Sequence, residues 1–491
     1  MHPLGERRRR RHAVVLTFCV GTALLAIVAA LHVAGDPPRA GAARGGVGEL
    51  AEQREATLLR LDALAQARAD GSFGAPEPLI SRPAAGWSGE QVLNPGTDDW
   101  EPAVAADPDA PYVYLLTTRY GEAKPCPGKC PTPFIVLAVS TDGGATFDPQ
   151  RPLCACKSSG QFDPIIEVVP DTGHVYAVYM NGFDVVFVKS TDHGQTWSTP
   201  VKTYGQVAWT DKPVLATSDD GRDVYVSWNG PKKGAPWAAV SHDAGVTWTQ
   251  TRLDDSTDRY HFAYDADVLP DGTVVFSQGS LVYPVWKGFE PVGPVRHHAF
   301  VSRDGGATWR NVVVDEVQQG EPCAAAGCGP DFYFGHSAVS ADEDGDLVFL
   351  YDGATTAGGQ QRIFARRSSD AGLTWSSRTQ LSAPSEQSTQ PALEQTGDGD
   401  VRAFWYTTTG GDHDRWNVWY RSSRDGGASW TDPVRLSDAA GGAGYKTASG
   451  FNEVYGDYGE IAVTNTGDTF AVWGEGFSWT GPGGTWYARG R

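Results

Sequence analysis

The pattern serine, any residue, aspartate, any residue, glycine, two further residues and an aromatic occurs six times in this chain. The copies run from Ser140 to Phe147, Ser190 to Trp197, Ser241 to Trp248, Ser302 to Trp309, Ser368 to Trp375 and Ser423 to Trp430. Their starts lie 50, 51, 61, 66 and 55 residues apart, the period of an array whose unit is one small sheet. Each copy reads as a turn between strands. Asp142, Asp192, Asp243, Asp304, Asp370 and Asp425 can accept bonds from nearby amides, the glycine takes a positive φ, and the aromatic packs between neighbouring sheets. Strand-forming residues precede the first copy, Phe134-Ile135-Val136-Leu137-Ala138-Val139. A radial repeat is expected, not a string of unrelated domains.

A second repeat precedes each copy: an apolar strand, a Gly-containing acidic turn and another apolar strand. Val214-Leu215, Asp220-Gly221 and Val224-Tyr225-Val226 form one example, and similar turns stand at Thr172-Gly173, Asp271-Gly272, Asp344-Gly345, Asp398-Gly399 and Thr466-Gly467. The last unit has a third strand near Thr485-Trp486-Tyr487 and then ends. Its missing fourth strand can come from Trp87-Ser88-Gly89-Glu90-Gln91-Val92-Leu93, which resembles the fourth-strand segments after Trp197 and Trp430. A ring closed this way leaves no open sheet edge. The expected fold is all-β, a seven-bladed β-propeller closed by an N-terminal strand, with six blades as the alternative.

The eight-residue pattern resembles the Asp-box, or bacterial neuraminidase repeat, of the sialidase-superfamily β-propellers, and the likeness extends from about Trp87 to the C-terminus. It implies an exo-alpha-sialidase-like architecture whose boxes are structural and lie on the face away from the active site. Catalytic members use three arginines for the substrate carboxylate, a tyrosine nucleophile activated by glutamate, and an aspartate acid/base. By position Arg119, Arg296, Arg362 and Arg415 could supply the trio, and Glu453 with Tyr455 or Tyr458 the nucleophile pair. The N-terminal arginine motif of catalytic sialidases is absent, its nearest counterpart being Leu79-Ile80-Ser81-Arg82-Pro83. Seven blades are also one more than those enzymes have.

In a propeller the starts of the innermost strands crowd round the central channel on the face opposite the boxes, where ligands bind. Those starts carry carboxylates and aromatics in most units. Asp99, Asp163, Asp211, Asp265, Asp457 and Tyr458, with Glu453, are the candidates for catalysis; His336 and Gln390 stand at equivalent positions. Carboxylates suit hydroxyl bonding or acid/base work, and aromatics suit stacking on sugars. Arg119, Trp286, Arg296, His336, Arg362, Arg415 and Trp416 are the candidate ligand-binding residues, with Ser280 to His298 as a ligand-facing loop. An aspartate at a strand start or before proline can equally be a turn cap.

With 40 basic and 59 acidic residues the net charge is −19, which argues against nucleic acid as a partner. Arg7 to Arg11 precede an uncharged stretch from Ala13 to Leu31. Residues 1–35 are therefore expected to be a signal anchor or a cleaved signal peptide, either of which puts the rest outside the cytoplasm. Residues 36–46 read as linker, 47–70 as a short helical stalk and 80–491 as the propeller. Cys126, Cys130, Cys154, Cys156, Cys323 and Cys328 form an even set that suggests three disulfides on the face opposite the boxes. No cofactor signature is present. The acidic turns from Asp342 to Asp346 and from Asp398 to Asp400 would suit calcium, but they coincide with hairpin turns of the repeat. The chain is expected to be a monomer that acts on or binds carbohydrate or an envelope polymer, as an exo-glycosidase or as a non-catalytic binding and scaffolding propeller.

Overall fold

The computed structural model describes residues 83–490 apart from 96, 121–130, 155, 159, 183, 208–210, 231–233, 256–257, 283–291, 322–334, 410–411, 439–442, 445–457 and 477–482. The signal, linker and stalk segments expected from the sequence lie outside the described residues. Within them, no helix is long and apolar enough to cross a membrane.

The described residues form seven antiparallel sheets of four strands, in chain order from inside to outside in the first six, the sixth carrying one extra short strand. The inner strands are Asp98–Ala106, Gln161–Val168, Asp211–Thr217, Tyr260–Val268, Ser337–Ala341, Ser388–Thr396 and Glu460–Val463. Each inner strand packs against the next, and the seventh against the first. The ring therefore has seven blades, which excludes the six-bladed alternative. In the seventh blade the outer strand is Gln91–Val92, paired with Trp486 and Tyr487 of Gly483–Gly490.

Apolar packing follows the same symmetry. Both faces of every blade are covered by a neighbour, and burial sorts the side chains into seven clusters, one per seam between blades. The box aromatics wedge into these seams, each against the blade before its own: Phe147, Trp197, Trp248, Trp309, Trp375 and Trp430. The seam between blades 6 and 7 has no box. Trp87 fills that place, its ring 4.8 Å from that of Tyr420 in an edge-on contact.

Each box is a closed hydrogen-bond unit. In the third copy Ser241 Oγ donates to Asp243 Oδ1 over 2.8 Å and accepts the Gly245 amide over 2.9 Å, while the Thr247 amide and hydroxyl both donate to Asp243. Trp248 Nε1 then caps the Gly245 carbonyl. Bonds of this kind, from Thr196, Thr247 and Ser429 first, hold Asp192, Asp243 and Asp425 at a pKa of about 2. The box aspartates are thus turn-forming anions, and the strand directions set them at the end of the channel away from the inner-strand starts.

Candidate functional site

Four inner strands begin with the same irregularity. Glu101, Asp163, Lys212 and Gln390 each precede a proline and each adopt a positive φ, of 58°, 49°, 26° and 50°. Register shifts place a bulge at each of these points. Neither a non-glycine side chain nor a following proline favours that backbone, so its recurrence on one rim marks a stored strain. Neighbouring blades hold two of these bulges in place. Glu101 Oε2 accepts the Asp163 amide over 3.0 Å, and Asp352 Oδ2 lies 3.4 Å from the Gln390 amide.

Below the rim the inner strands line a central cavity of about 550 Å³. At its mouth Lys212 of blade 3 reaches over the Tyr458 ring, its Nζ 3.6 Å from the centroid, and lies 5.3 Å from that of Tyr264 in blade 4. Both contacts fall in the range of cation–π attraction. Tyr264 packs at 4.9 Å on the ring of His336 in blade 5. Behind it Asp352 Oδ2 sits 3.2 Å from His336 Nδ1 and accepts the Thr389 hydroxyl over 2.5 Å. The buried carboxylate fixes the imidazole's orientation and sets its Nε2 on the far side of the ring. Lys212, Tyr264, His336, Gln390 and Tyr458 thus meet at the mouth, from blades 3, 4, 5, 6 and the segment entering blade 7.

Deeper in the cavity stand Glu167, Asp265, Asp267, Glu394 and Glu460, from blades 2, 4, 6 and 7. Three of them accept backbone amides of the next blade: Asp265 from Val339 over 3.0 Å, Asp267 from Ala341 over 2.7 Å and Glu460 from Val104 over 2.8 Å. Enclosure within the ring, which disfavours the charged form, raises Asp265 to about 7, Asp267 to about 6 and Glu460 to about 8. Glu167 and Glu394 are raised well above the usual carboxylate range by the same enclosure and then by the facing carboxylates. Around neutral pH this set holds both protonated and ionised members, so it can donate as well as accept protons.

The sequence candidates divide accordingly. Asp265, Tyr458, His336 and Gln390 come together at the cavity. Asp99 does not: it is fully buried, and Arg119 grips it through Nε and Nη2 at 2.8 Å each, an ion pair inside blade 1. Asp163 is buried and belongs to the bulge described above. Arg296 pairs with Glu316 at 2.7 Å on the third strand of blade 4, and Arg362 donates to the carbonyls of Pro384 and Glu386. Arg119, Arg296 and Arg362 lie in blades 1, 4 and 5 with separate partners, and none lines the cavity. Trp416 is a core residue, fully buried in the seam between blades 6 and 7, because its strand faces blade 7 there. Trp286, Glu453, Asp457 and the side chains of Asp211 and Arg415 lie outside the described residues, as do Cys126, Cys130, Cys323 and Cys328. Cys154 and Cys156 face each other, with Cα atoms 5.2 Å apart.

Sequence reasoning passed over Glu167, Glu394 and Glu460. Their signal is a lone acid inside an apolar inner strand, as in Ile165-Ile166-Glu167-Val168 and Ala392-Leu393-Glu394. The acidic turn at Asp342 is satisfied internally, by the Asp344 and Asp346 amides. Among the described residues, no three His, Cys, Asp or Glu side chains gather as a metal centre.

The family model described as BNR repeat-like domain matches residues 212–468. No curated protein matches the chain. Solved structures similar to it include a protein of unknown function from Dyadobacter fermentans DSM 18053, at 13% identity over 83% of this chain and 99% of that one with a TM-score of 0.48. A polysaccharide lyase of family PL25, an ulvan lyase, is 12% identical over 80% and 94%, with a TM-score of 0.49. A Hadza microbial sialidase is 13% identical over 80% and 66%, with a TM-score of 0.42. Likeness at this identity concerns architecture and not reaction.

Proposed function

This chain belongs to the BNR repeat-like domain family, and from that membership and its channel mouth we propose that it is a carbohydrate-binding propeller acting outside the cytoplasm. The observation that carries the reading is the convergence of Lys212, Tyr264, His336 and Tyr458 from separate blades over one cavity. Tyrosine faces suit the apolar side of a sugar ring, and the imidazole and carboxylates suit its hydroxyls. The strained bulges on the same rim support it, because such strain persists where a site must be held in a fixed shape.

A hydrolytic step at this cavity is the second reading. It is favoured by Asp265 and Glu460, whose raised pKa values suit a general acid at neutral pH. Chemistry through an arginine trio is not supported, since Arg119, Arg296 and Arg362 are spread over three blades with partners of their own. The N-terminal segment would act as an anchor or signal, the strand Gln91–Val92 as the clasp of the ring, and Cys154 with Cys156 as a disulfide.

The test is to incubate the full chain with neutral, amino and acidic glycosides, measuring binding by calorimetry and released sugar by mass spectrometry. Binding of at least one glycan, weakened about tenfold or more by Tyr458→Ala, is the expected result, the order of one lost stacking contact. Release abolished by Asp265→Asn would add turnover. If folded protein binds no glycan in the panel, the carbohydrate reading fails.

A further inference from the structure

The charges and hydrogen-bonding groups of the cavity specify more than a sugar. Five carboxylates, Glu167, Asp265, Asp267, Glu394 and Glu460, face one ammonium, that of Lys212. All five line one cavity, and those on different blades raise one another's pKa. Lys212 answers part of that field, lowering Asp265 and Glu460, but it is drawn to the rim over Tyr458.

Two uncharged groups in the wall point the same way. Ser337 is 3% exposed and lines the cavity, yet its Oγ has no hydrogen-bond partner among the described residues. Gln395 is 5% exposed and also lines it; its Nε2 is used on the carbonyls of Ser340 and Asp346, while its Oε1 has no partner among the described residues. A buried acceptor left without a donor costs free energy, which a ligand bearing N–H or O–H groups would recover.

Acidic groups outnumber the one ammonium, and a second ammonium, from a ligand, would relieve the enclosure that raises Glu167, Glu394 and Glu460. We propose that the cavity takes a glycan bearing a protonated amino group, an amino sugar, with the ammonium among the carboxylates of blades 4 and 7 and ring hydroxyls on Ser337 and Gln395. Uronates, sialates and sulfated sugars are disfavoured, because an ammonium lets the enclosed carboxyls ionise, whereas a ligand carboxylate or sulfate would add a like charge beside those already ionised. This inference rests on the carbohydrate reading above and narrows it. Asp265 and Asp267 are the discriminating pair: both stand on one strand, both present a carboxylate to the cavity, and both use one oxygen on a blade 5 amide.

The experiment is calorimetric titration of the full chain with oligomers of glucosamine, the matching N-acetylglucosamine oligomers, sialyllactose and oligogalacturonate. The glucosamine oligomer should bind about tenfold tighter than its acetylated counterpart, the order of one charge-assisted hydrogen bond, and the two acidic sugars should give no binding. The double substitution Asp265→Asn, Asp267→Asn keeps one oxygen at each position for the blade 5 amide and gives up the bond each carboxylate accepts from the amide that follows it. It should erase that preference in protein that still unfolds cooperatively. Equal or tighter binding of the sialoside or uronate overturns the inference and leaves the carbohydrate reading standing. So does a preference for the amino sugar that survives in the folded double variant. Loss of folding in that variant is met by Glu394→Gln alone, which must halve the preference or more. Silence from all four sugars overturns the amino-sugar inference, and the wider panel above then decides the carbohydrate reading.

Discussion

Glu460 shows how much a single side chain can report. It accepts the Val104 amide and so fastens blade 7 to blade 1, yet enclosure raises its pKa to about 8. In the folded ring it is protonated at neutral pH, and in the unfolded chain it is ionised. Its contribution to stability is therefore complete below about pH 4.5 and is lost as pH rises through 8. Asp265 and Asp267, raised to about 7 and 6, act in the same direction. Glu460→Gln keeps an acceptor for Val104 without the proton, so the decline of stability between pH 5 and 8 should be shallower in that variant. Urea unfolding at several pH values reads this out, and parallel curves for the two proteins would sink the argument. A carboxylate of this kind was hard to see in the sequence. Reading stopped at the strand starts, where Asp99 stands before the bulge of blade 1 and Asp163 within that of blade 2, whereas Glu167 and Glu394 follow the bulges of their strands and Glu460 stands on a strand without one. A bulge reverses which alternate side chains face inward, and in blades 2 and 6 it is held by a side chain of the preceding blade, far away in the chain.

At the scale of one element, blade 4 differs from the rest. It carries His261 on its first strand and His297 and His298 on its third, all buried. Burial holds His297 and His298 down at about 4 and His261 well below its usual value. These rings are neutral when folded and become charged on unfolding below about pH 6.5, so their stabilisation is present above that pH and is lost as pH falls toward 4. Hydrogen exchange at pH 5 should find blade 4 losing protection before blades 2 and 6, and His298→Gln, which can still meet Ser280 and Asn311, should narrow the gap. Uniform loss across the blades would contradict this. The boxes, by contrast, were legible residue by residue, because all their partners lie two to four positions apart and no distant strand has to be known. Ser241→Ala leaves the buried Gly245 amide without its acceptor and should cost about 1–3 kcal/mol in chemical unfolding.

Over the whole molecule, the seven-blade count was legible because hairpin turns and boxes recur at a nearly fixed period, and the seams then follow from strands apolar on both faces. The wedge at Trp87 makes the symmetry quantitative. Trp87 sits in the seam between blades 6 and 7 where a box tryptophan sits elsewhere, so Trp87→Ala should destabilise the ring by roughly 2–4 kcal/mol, as should Trp248→Ala in its own seam. A silent Trp87→Ala, with Trp248→Ala costly, would show that blade 7 is held otherwise. Trp87 also bridges Gly490. Two positions some four hundred residues apart along the chain are thus backbone neighbours on one blade edge, and where the polypeptide opens is a matter of gene order more than of mechanics. A circular permutant that joins Gly490 to Trp87 through a short peptide and opens the chain at a box turn would carry the same seven seams, with its cut still on the face opposite the channel mouth but moved to another blade.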